Sequence, residues 1–390
     1  MRETRVWSLI KAYRNRGHLE SKTNPVMERR NRHAKLALEE FQLSEADLDS
    51  TFFVGKELGL ENASLRDILK RLKLIYASSI GFEYHHIKDR EQRRWLREKI
   101  EQKGFYLNGL SMDKKKRILE KLNGAVVFEQ FLGVKYPGQK RFSLEGGETT
   151  IAAIDSIINY GANNKVQEVI IGMAHRGRLN VLANIMGKTY QHIFSEFEGT
   201  AIQEQSFGDG DVKYHLGFSS QVETPDGNKV DLKLVPNPSH LESVDPVVEG
   251  FARAKADILY NSEYDRILPI LIHGDAAVVG QGVVYETVQM SQLEGYHTGG
   301  TIHYVINNQV GFTTDWEDAR SSTYCTAAAN AIDAPVFHVN GDDAEAVVFA
   351  CELAVEYRQK FNSDIFIDMV CYRKHGHNEA DDPAFTQPEL

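Results

Sequence analysis

From residue 149 onward, short apolar runs alternate with stretches of helical period. The runs Glu168–Met173, Leu268–His273, Thr301–Asn307, Val336–Val339 and Ile365–Cys371 predict strands. The stretches Thr149–Asn163, Arg178–Met186, Pro246–Asn261, Gln281–Leu293, Tyr324–Ile332 and Asp343–Phe361 predict helices. Strands that are apolar throughout and separated by helices indicate an α/β fold with a parallel sheet flanked by helices on both faces. A strand-rich insertion is expected near residues 205–235, around the Pro225-Asp-Gly227 turn. The front reads differently, as a helical N-terminal region with helices at Glu3–Arg14 and Asp89–Gln102 and a capping signal at Ser44-Glu-Ala-Asp47. Turn residues crowd Lys135–Gly147. The expected organisation is a helical region over 1–120, a linker and lead-in over 121–147, and an α/β domain over 148–390, with no internal repeat.

Composition narrows this further. With 42% apolar and 26% charged residues, the chain has the material for a sizeable core, which excludes disorder as its main state. The net charge of −10 is uneven, because residues 1–120 carry 26 basic against 18 acidic side chains. The basic residues interleave with acids and helical apolar positions, which reads as a solvated helical surface rather than a nucleic-acid face. Cys325, Cys351 and Cys371 are widely spaced in apolar surroundings, which predicts buried thiols rather than a disulfide or zinc framework. No apolar run is long enough to cross a bilayer, and no targeting segment is visible at the start. The expected location is the cytoplasm, or the mitochondrial matrix for a eukaryotic source.

In open parallel sheets ligands bind beyond the carboxyl ends of the strands, so the chemistry is sought there. One strand ends in His273-Gly-Asp275-Ala276, a helix opens at Gly280-Gln-Gly282, and the next strand ends in Ile306-Asn-Asn308-Gln-Val310. Asp275 offers a carboxylate, Asn308 an amide oxygen and Val310 a backbone carbonyl. Three protein oxygens leave an octahedral Mg²⁺ free to take water and phosphate. The helix glycines would let a diphosphate approach backbone N–H groups and the positive end of the dipole. Gly208-Asp209-Gly210 matches the opening of this motif, but the residues after it predict no helix and supply no closing Asn pair, so it is rejected.

Three further clusters fall at loop positions: His175-Arg176-Gly-Arg178, Lys213-Tyr-His215, and Asn237-Pro-Ser239-His240-Leu241-Glu242. Two arginines and a histidine at one strand tip suit a carboxylate-bearing substrate. Arg373-Lys-His375-Gly-His377 closes the pattern at another tip, without an assigned role.

Together, His175-Arg-Gly-Arg-Leu-Asn, Tyr214-His-Leu-Gly217, Asn237-Pro-Ser-His-Leu-Glu242, Gly274-Asp…Asn307-Asn-Gln-Val-Gly-Phe and Tyr372-Arg-Lys-His-Gly-His resemble the E1 components of 2-oxoglutarate dehydrogenase. The resemblance runs over essentially the whole chain, including Ile80-Gly-Phe-Glu-Tyr-His85 in the front. It implies a thiamine-diphosphate-binding fold, of which this is the diphosphate-binding domain, and decarboxylation of 2-oxoglutarate on thiamine diphosphate with Mg²⁺. It implies that Asp275, Asn308 and the Val310 carbonyl ligate the metal, and that Arg176, Ser239, Leu241 and Ala276 line the cofactor. It further implies that His175, Arg176, His215 and Ser239 face the 2-oxo acid, with His175 and His215 as catalytic residues. The succinyl group would pass to a lipoylated E2, a dihydrolipoyl succinyltransferase, and the enzyme would be a homodimer. Family chains are much longer, so a missing C-terminal half of E1, which binds the aminopyrimidine, is expected as a partner. The alternatives are a 2-oxoadipate dehydrogenase E1 and a non-catalytic fragment.

Overall fold

The computed structural model describes residues 2–28, 31–102, 105–200 and 213–388. Its centre is an eight-stranded sheet made of β1 (Ile80–Glu83), β2 (Glu168–Met173), β3 (Phe218–Glu223), β4 (Lys229–Leu234), β5 (Ile267–Gly274), β6 (Ile302–Asn307), β7 (Val336–Asn340) and β8 (Ile365–Val370). The order across the sheet is β1-β7-β8-β6-β5-β2-β4-β3. The six inner strands are parallel. The two outer ones, β1 and β3, run antiparallel to their neighbours. All inner strands therefore end on one edge, where Ala174, Val235, Asp275, Asn308 and Cys371 begin the loops. After β2 the chain moves toward β4, and after β5 it moves the opposite way, toward β6. The gap between the ends of β2 and β5 is thus a topological switch point, the crevice that open α/β sheets use for ligands.

Alternate side chains of each strand build two cores. On one face Ile171, Ile270, Ile272, Ile302, Tyr304, Ile367 and Met369 join the largest apolar cluster, with the helices α5 (Thr149–Ala162) and α11 (Ala344–Phe361). Helix α5 is buried nearly all round, as its Ile-Ala-Ala-Ile sequence requires of a helix without a polar face. Its one acid, Asp155, is held by Arg117 at 2.6 Å. On the other face Ile170, Ile267 and Leu271 pack under α8 (Asp245–Leu259). There Val305 and Phe366 pack under α10 (Gly282–Met290) and a 3₁₀ turn at Ala327–Ile332. All three cysteines are buried and free of disulfides.

Several expectations need correction. The stretch read as a helix over Tyr324–Ile332 holds only a 3₁₀ turn at Ala327–Ile332, closed by Asp333 in the left-handed region and by Pro335 soon after. A six-residue helix, α9 (Asp275–Gly280), starts at Asp275 itself, ahead of the expected helix. The front carries α1 (Arg2–Arg16), α2 (Leu65–Tyr76) and α3 (Arg90–Gln102), yet it also supplies edge strand β1. Helix α4 (Met112–Lys135) runs through the first part of the stretch read as a linker. The Pro225-Asp-Gly227 turn does join two strands, β3 and β4. Gly208-Asp209-Gly210 lies outside the described residues. Among the described residues no helix is long and apolar enough to cross a membrane.

Gly177 caps α6 (Arg178–Asn184) with φ 76°, and a Cβ there would stand 2.7 Å from Leu144 Cδ1. Both facts demand glycine between the two arginines. Gly177→Ala is expected to cost about 1–3 kcal/mol, read as a lower midpoint in urea unfolding with an unchanged slope.

Candidate active site

A cleft of ≈ 120 Å³, open to solvent at its mouth, lies at the switch point. It is lined by Ala174, His175 and Arg176 after β2, by Asp275, Ala276 and Ala277 after β5, and by Asn308, Val310 and Phe312 after β6. Of the nine residues singled out from the sequence, His175, Arg176, Leu241, Asp275, Ala276, Asn308 and Val310 line this one cleft. His215 and Ser239 do not line it. Ser239 Oγ is 3.5 Å from His215 Nε2, and the His215 ring centroid is 5.9 Å from that of His175. They form a pair adjoining the cleft on the His175 side, with Ser239 exposed at the rim.

The floor of the cleft is an electrostatic problem. Asp275 is only 2% exposed, and its one cationic partner among the described residues is Arg320, with Nη1 donating to Oδ2 at 3.2 Å. Burial pushes the carboxyl up to about 6 against the pull of Arg320. Asn308, in the same cleft, buries an amide oxygen that accepts no hydrogen bond from the described residues. An orphaned carbonyl oxygen and an under-compensated carboxylate, together with buried Val310, make an oxygen donor set of the kind a hard divalent cation takes. The residues present therefore fit Mg²⁺. Gly280 and Gly282 stand at the far end of α9 and outside the cleft lining, so the expected backbone approach at those glycines is not found.

The opposite wall is basic but arranged differently from expectation. Arg178 does not face the cleft. Fully buried, it donates to the carbonyls of Leu216 (2.8 Å) and Val235 (2.7 Å), tying the β2 and β4 loops together. Arg176 lines the cleft and spans two loops, donating to Ser143 O at 3.0 Å and His377 O at 2.8 Å. His175 has a buried Nδ1 with no partner among the described residues. Burial first, then the neighbouring His215 and Arg176, hold its ring down at about 4, so it is neutral near pH 7.

Sequence reasoning missed Arg320 and Phe142 and left Arg373 and His377 without a role. Arg320 sits 45 residues beyond its partner in a loop that carries no motif. Phe142, Arg373 and His377 also line the cleft. His377 packs edge-on to Phe312 with centroids 4.5 Å apart, while His375 turns away to Glu145 at 2.6 Å. Glu379 positions the segment carrying Phe142 by accepting the backbone N–H groups of Arg141 (2.8 Å), Phe142 (3.2 Å) and Ser143 (2.7 Å). The Arg-Lys-His-Gly-His-Asn-Glu run was visible in the sequence, but which of its members faced a ligand was not.

Behind the cleft a buried chain crosses the sheet. Glu242 Oε2 meets His273 Nδ1 at 2.6 Å, His273 Nε2 meets His303 Nδ1 at 3.0 Å, and His303 Nε2 meets Asp364 Oδ2 at 3.3 Å. Burial disfavours charge on His273, but Glu242 and Asp245 outweigh it and raise the ring to about 9. An imidazolium there donates in both directions, to Glu242 and to His303.

His175 should stay neutral down to about pH 4, as followed by the imidazole resonances of the labelled protein. Between its unfolded value near 6.5 and that point the unfolded chain binds a proton that the folded one does not, so His175 removes stability as pH falls through this window. A ring titrating near 6.5 in the folded chain would contradict the burial argument.

The comparisons with known proteins accord with this geometry. A family profile described as Dehydrogenase E1 component matches residues 120–390. The chain is 51% identical to a protein of Mycolicibacterium vanbaalenii named multifunctional 2-oxoglutarate metabolism enzyme, over 100% of this chain and 32% of that one. It is 50% identical to the 2-oxoglutarate dehydrogenase E1 component of Azotobacter vinelandii, over 99% of this chain and 41% of the relative. It is also 50% identical to the 2-oxoglutarate dehydrogenase E1/E2 component of Corynebacterium glutamicum, over 100% of this chain and 32% of that one. The chain thus spans between about a third and two fifths of the length of these relatives.

Proposed function

Because the chain belongs to the dehydrogenase E1 component family, we propose that it is the diphosphate-binding part of a thiamine-diphosphate-dependent 2-oxo acid dehydrogenase. In this reading the substrate is 2-oxoglutarate, and the succinyl group is passed to a lipoylated E2 partner. The observation that carries it is the pairing, in one cleft at the switch point, of a buried Asp275 carboxylate with an Asn308 oxygen that has no partner among the described residues.

When bound, thiamine diphosphate supplies the nucleophile and the electron sink for loss of carbon dioxide from a 2-oxo acid. The chain's own residues bind and orient. Asp275, Asn308 and the Val310 carbonyl hold Mg²⁺. Ala276 and Leu241 give the cofactor apolar walls, and Arg176 and Ser239 give it polar ones. Arg320 offsets the same buried charge as the metal, so it keeps Asp275 ionised in the metal-free chain. His175, neutral at working pH, offers a hydrogen bond to the keto oxygen without bringing a charge into the cleft. His215, with Ser239 beside it, is assigned to the same oxygen or to the substrate carboxylate, whose charge Arg176 meets. The remaining length of the relatives is assigned the rest of the cofactor seat, and the working unit is a homodimer.

Asp275→Ala is expected to abolish Mg²⁺-dependent binding of thiamine diphosphate in calorimetric titration. It should also lower 2-oxoglutarate-dependent turnover of the complete assembly by roughly a hundredfold or more. Unchanged turnover in that variant refutes the assignment. Because Asp275 must be ionised to ligate and titrates at about 6 in the metal-free chain, Mg²⁺ affinity should fall about tenfold per pH unit below that value and level off above it.

A further inference from the structure

A second cluster of metal-ligating side chains lies away from the cleft, where the N-terminal region meets the outer edge of the sheet. His18 follows α1, Glu83 ends β1, and His338 lies on β7. One donor atom from each falls within 4.8 Å of the others. We propose that His18, Glu83 and His338 form a transition-metal site that takes Zn²⁺.

The nitrogens are pre-assigned. His338 Nδ1 is 2.7 Å from Asp368 Oδ2, which leaves Nε2 directed at Glu83 Oε2, 3.1 Å away. With the Tyr324 O–H proton given to the His18 carbonyl at 3.1 Å, the hydroxyl oxygen accepts from His18 Nδ1 at 2.9 Å. That tautomer puts the His18 lone pair on Nε2. Each histidine thus has Nδ1 fixed by an oxygen acceptor, the outer-shell arrangement that orients zinc-binding imidazoles and makes them better donors. A tetrahedral ion with bonds of about 2.0–2.1 Å separates its ligands by about 3.3 Å, close to the His338–Glu83 spacing. Two imidazoles and one carboxylate leave a fourth position for water. Glu83 together with Asp368 matches the charge of a divalent ion.

The backbone is also arranged for this approach. Gly81 is the register partner of His338 across the antiparallel pair. A Cβ on Gly81 would stand 2.4 Å from Ser21 Oγ and 3.1 Å from both Cα and Cβ of His18. Only glycine lets the His18 segment lie this close to the strand pair. Tyr324 stacks on His338 with centroids 3.7 Å apart and closes one side. His86 also acts on Glu83, and its Nε2 is 2.8 Å from Ala334 O. Without metal, His338 Nε2 carries the proton that bridges it to Glu83. Binding releases that proton, and the metal then joins the N-terminal region to β1 and β7.

The test uses the full chain carrying Asp275→Asn, which weakens the cleft as a competing cation site. After treatment with chelator it is titrated with Co²⁺. One equivalent should develop the visible d–d absorption of tetrahedral Co²⁺, and Zn²⁺ should displace it. Glu83→Gln and His18→Asn should each lower Co²⁺ affinity by roughly a hundredfold or more, and Zn²⁺ should raise Tm in the parent but not in Glu83→Gln. Should His18→Asn fail to fold, Glu83→Gln, a partly exposed edge residue, decides. The proposal is overturned if saturating Co²⁺ gives no tetrahedral spectrum, or if Glu83→Gln keeps the parent's affinity and Zn²⁺-dependent Tm. In either case His338 is only an imidazolium bridging two carboxylates.

Discussion

Asp275 is ionisable, almost wholly out of water and set where β5 stops, and much of the surrounding structure answers that one charge. A carboxylate taken from water into a protein interior is unfavourable by several kcal/mol unless a cation stands against it. Arg320 reaches in from a distant loop to Oδ2, and burial still leaves the acid weaker than normal. A site held in this condition gains by accepting a divalent ion. The unpartnered Asn308 oxygen belongs to the same condition, since a buried carbonyl oxygen without a donor is stabilised by the arrival of a cation.

The sheet makes this juxtaposition possible. Six parallel strands deliver their carboxyl ends to one edge, and the reversal of winding between β2 and β5 opens a gap there without breaking the ladder. Residues a hundred positions apart or more, such as His175 and Asp275, then line one cleft because each closely follows a strand. The apolar faces that hold the strands in register contribute nothing chemical, yet they set the spacing of everything that does.

This also explains what was legible in the sequence. Continuous apolar runs such as Leu268–His273 and Ile365–Cys371 disclosed the inner strands, and the loops after them were the places to search. The lining residues Asp275, Asn308 and Val310 could be named on that ground, while His215 and Ser239 proved to adjoin the cleft rather than line it. Side-chain direction was not legible. Arg178 shares a tetrapeptide with His175 and Arg176, but it opens α6 past the left-handed Gly177 and donates to the carbonyls of Leu216 and Val235. Arg320 was hidden because a contact across 45 residues leaves no local pattern. The helix opening at Asp275 was hidden because its six residues are too few to show a period. Strand β1 was missed for a related reason, since its four residues stand among charged helices.

That short strand has a consequence for how the protein is divided. The family profile and the cleft both fall in the stretch after residue 120, but the sheet reaches back to Ile80–Glu83, where Phe82 packs edge-on against Phe337 of β7. A piece trimmed to the catalytic half would leave a flat row of β7 amides and carbonyls with no mate, an invitation to pair with any passing chain. The N-terminal region is therefore the selvedge of the fabric, and anyone tailoring a smaller version of this protein should cut upstream of it.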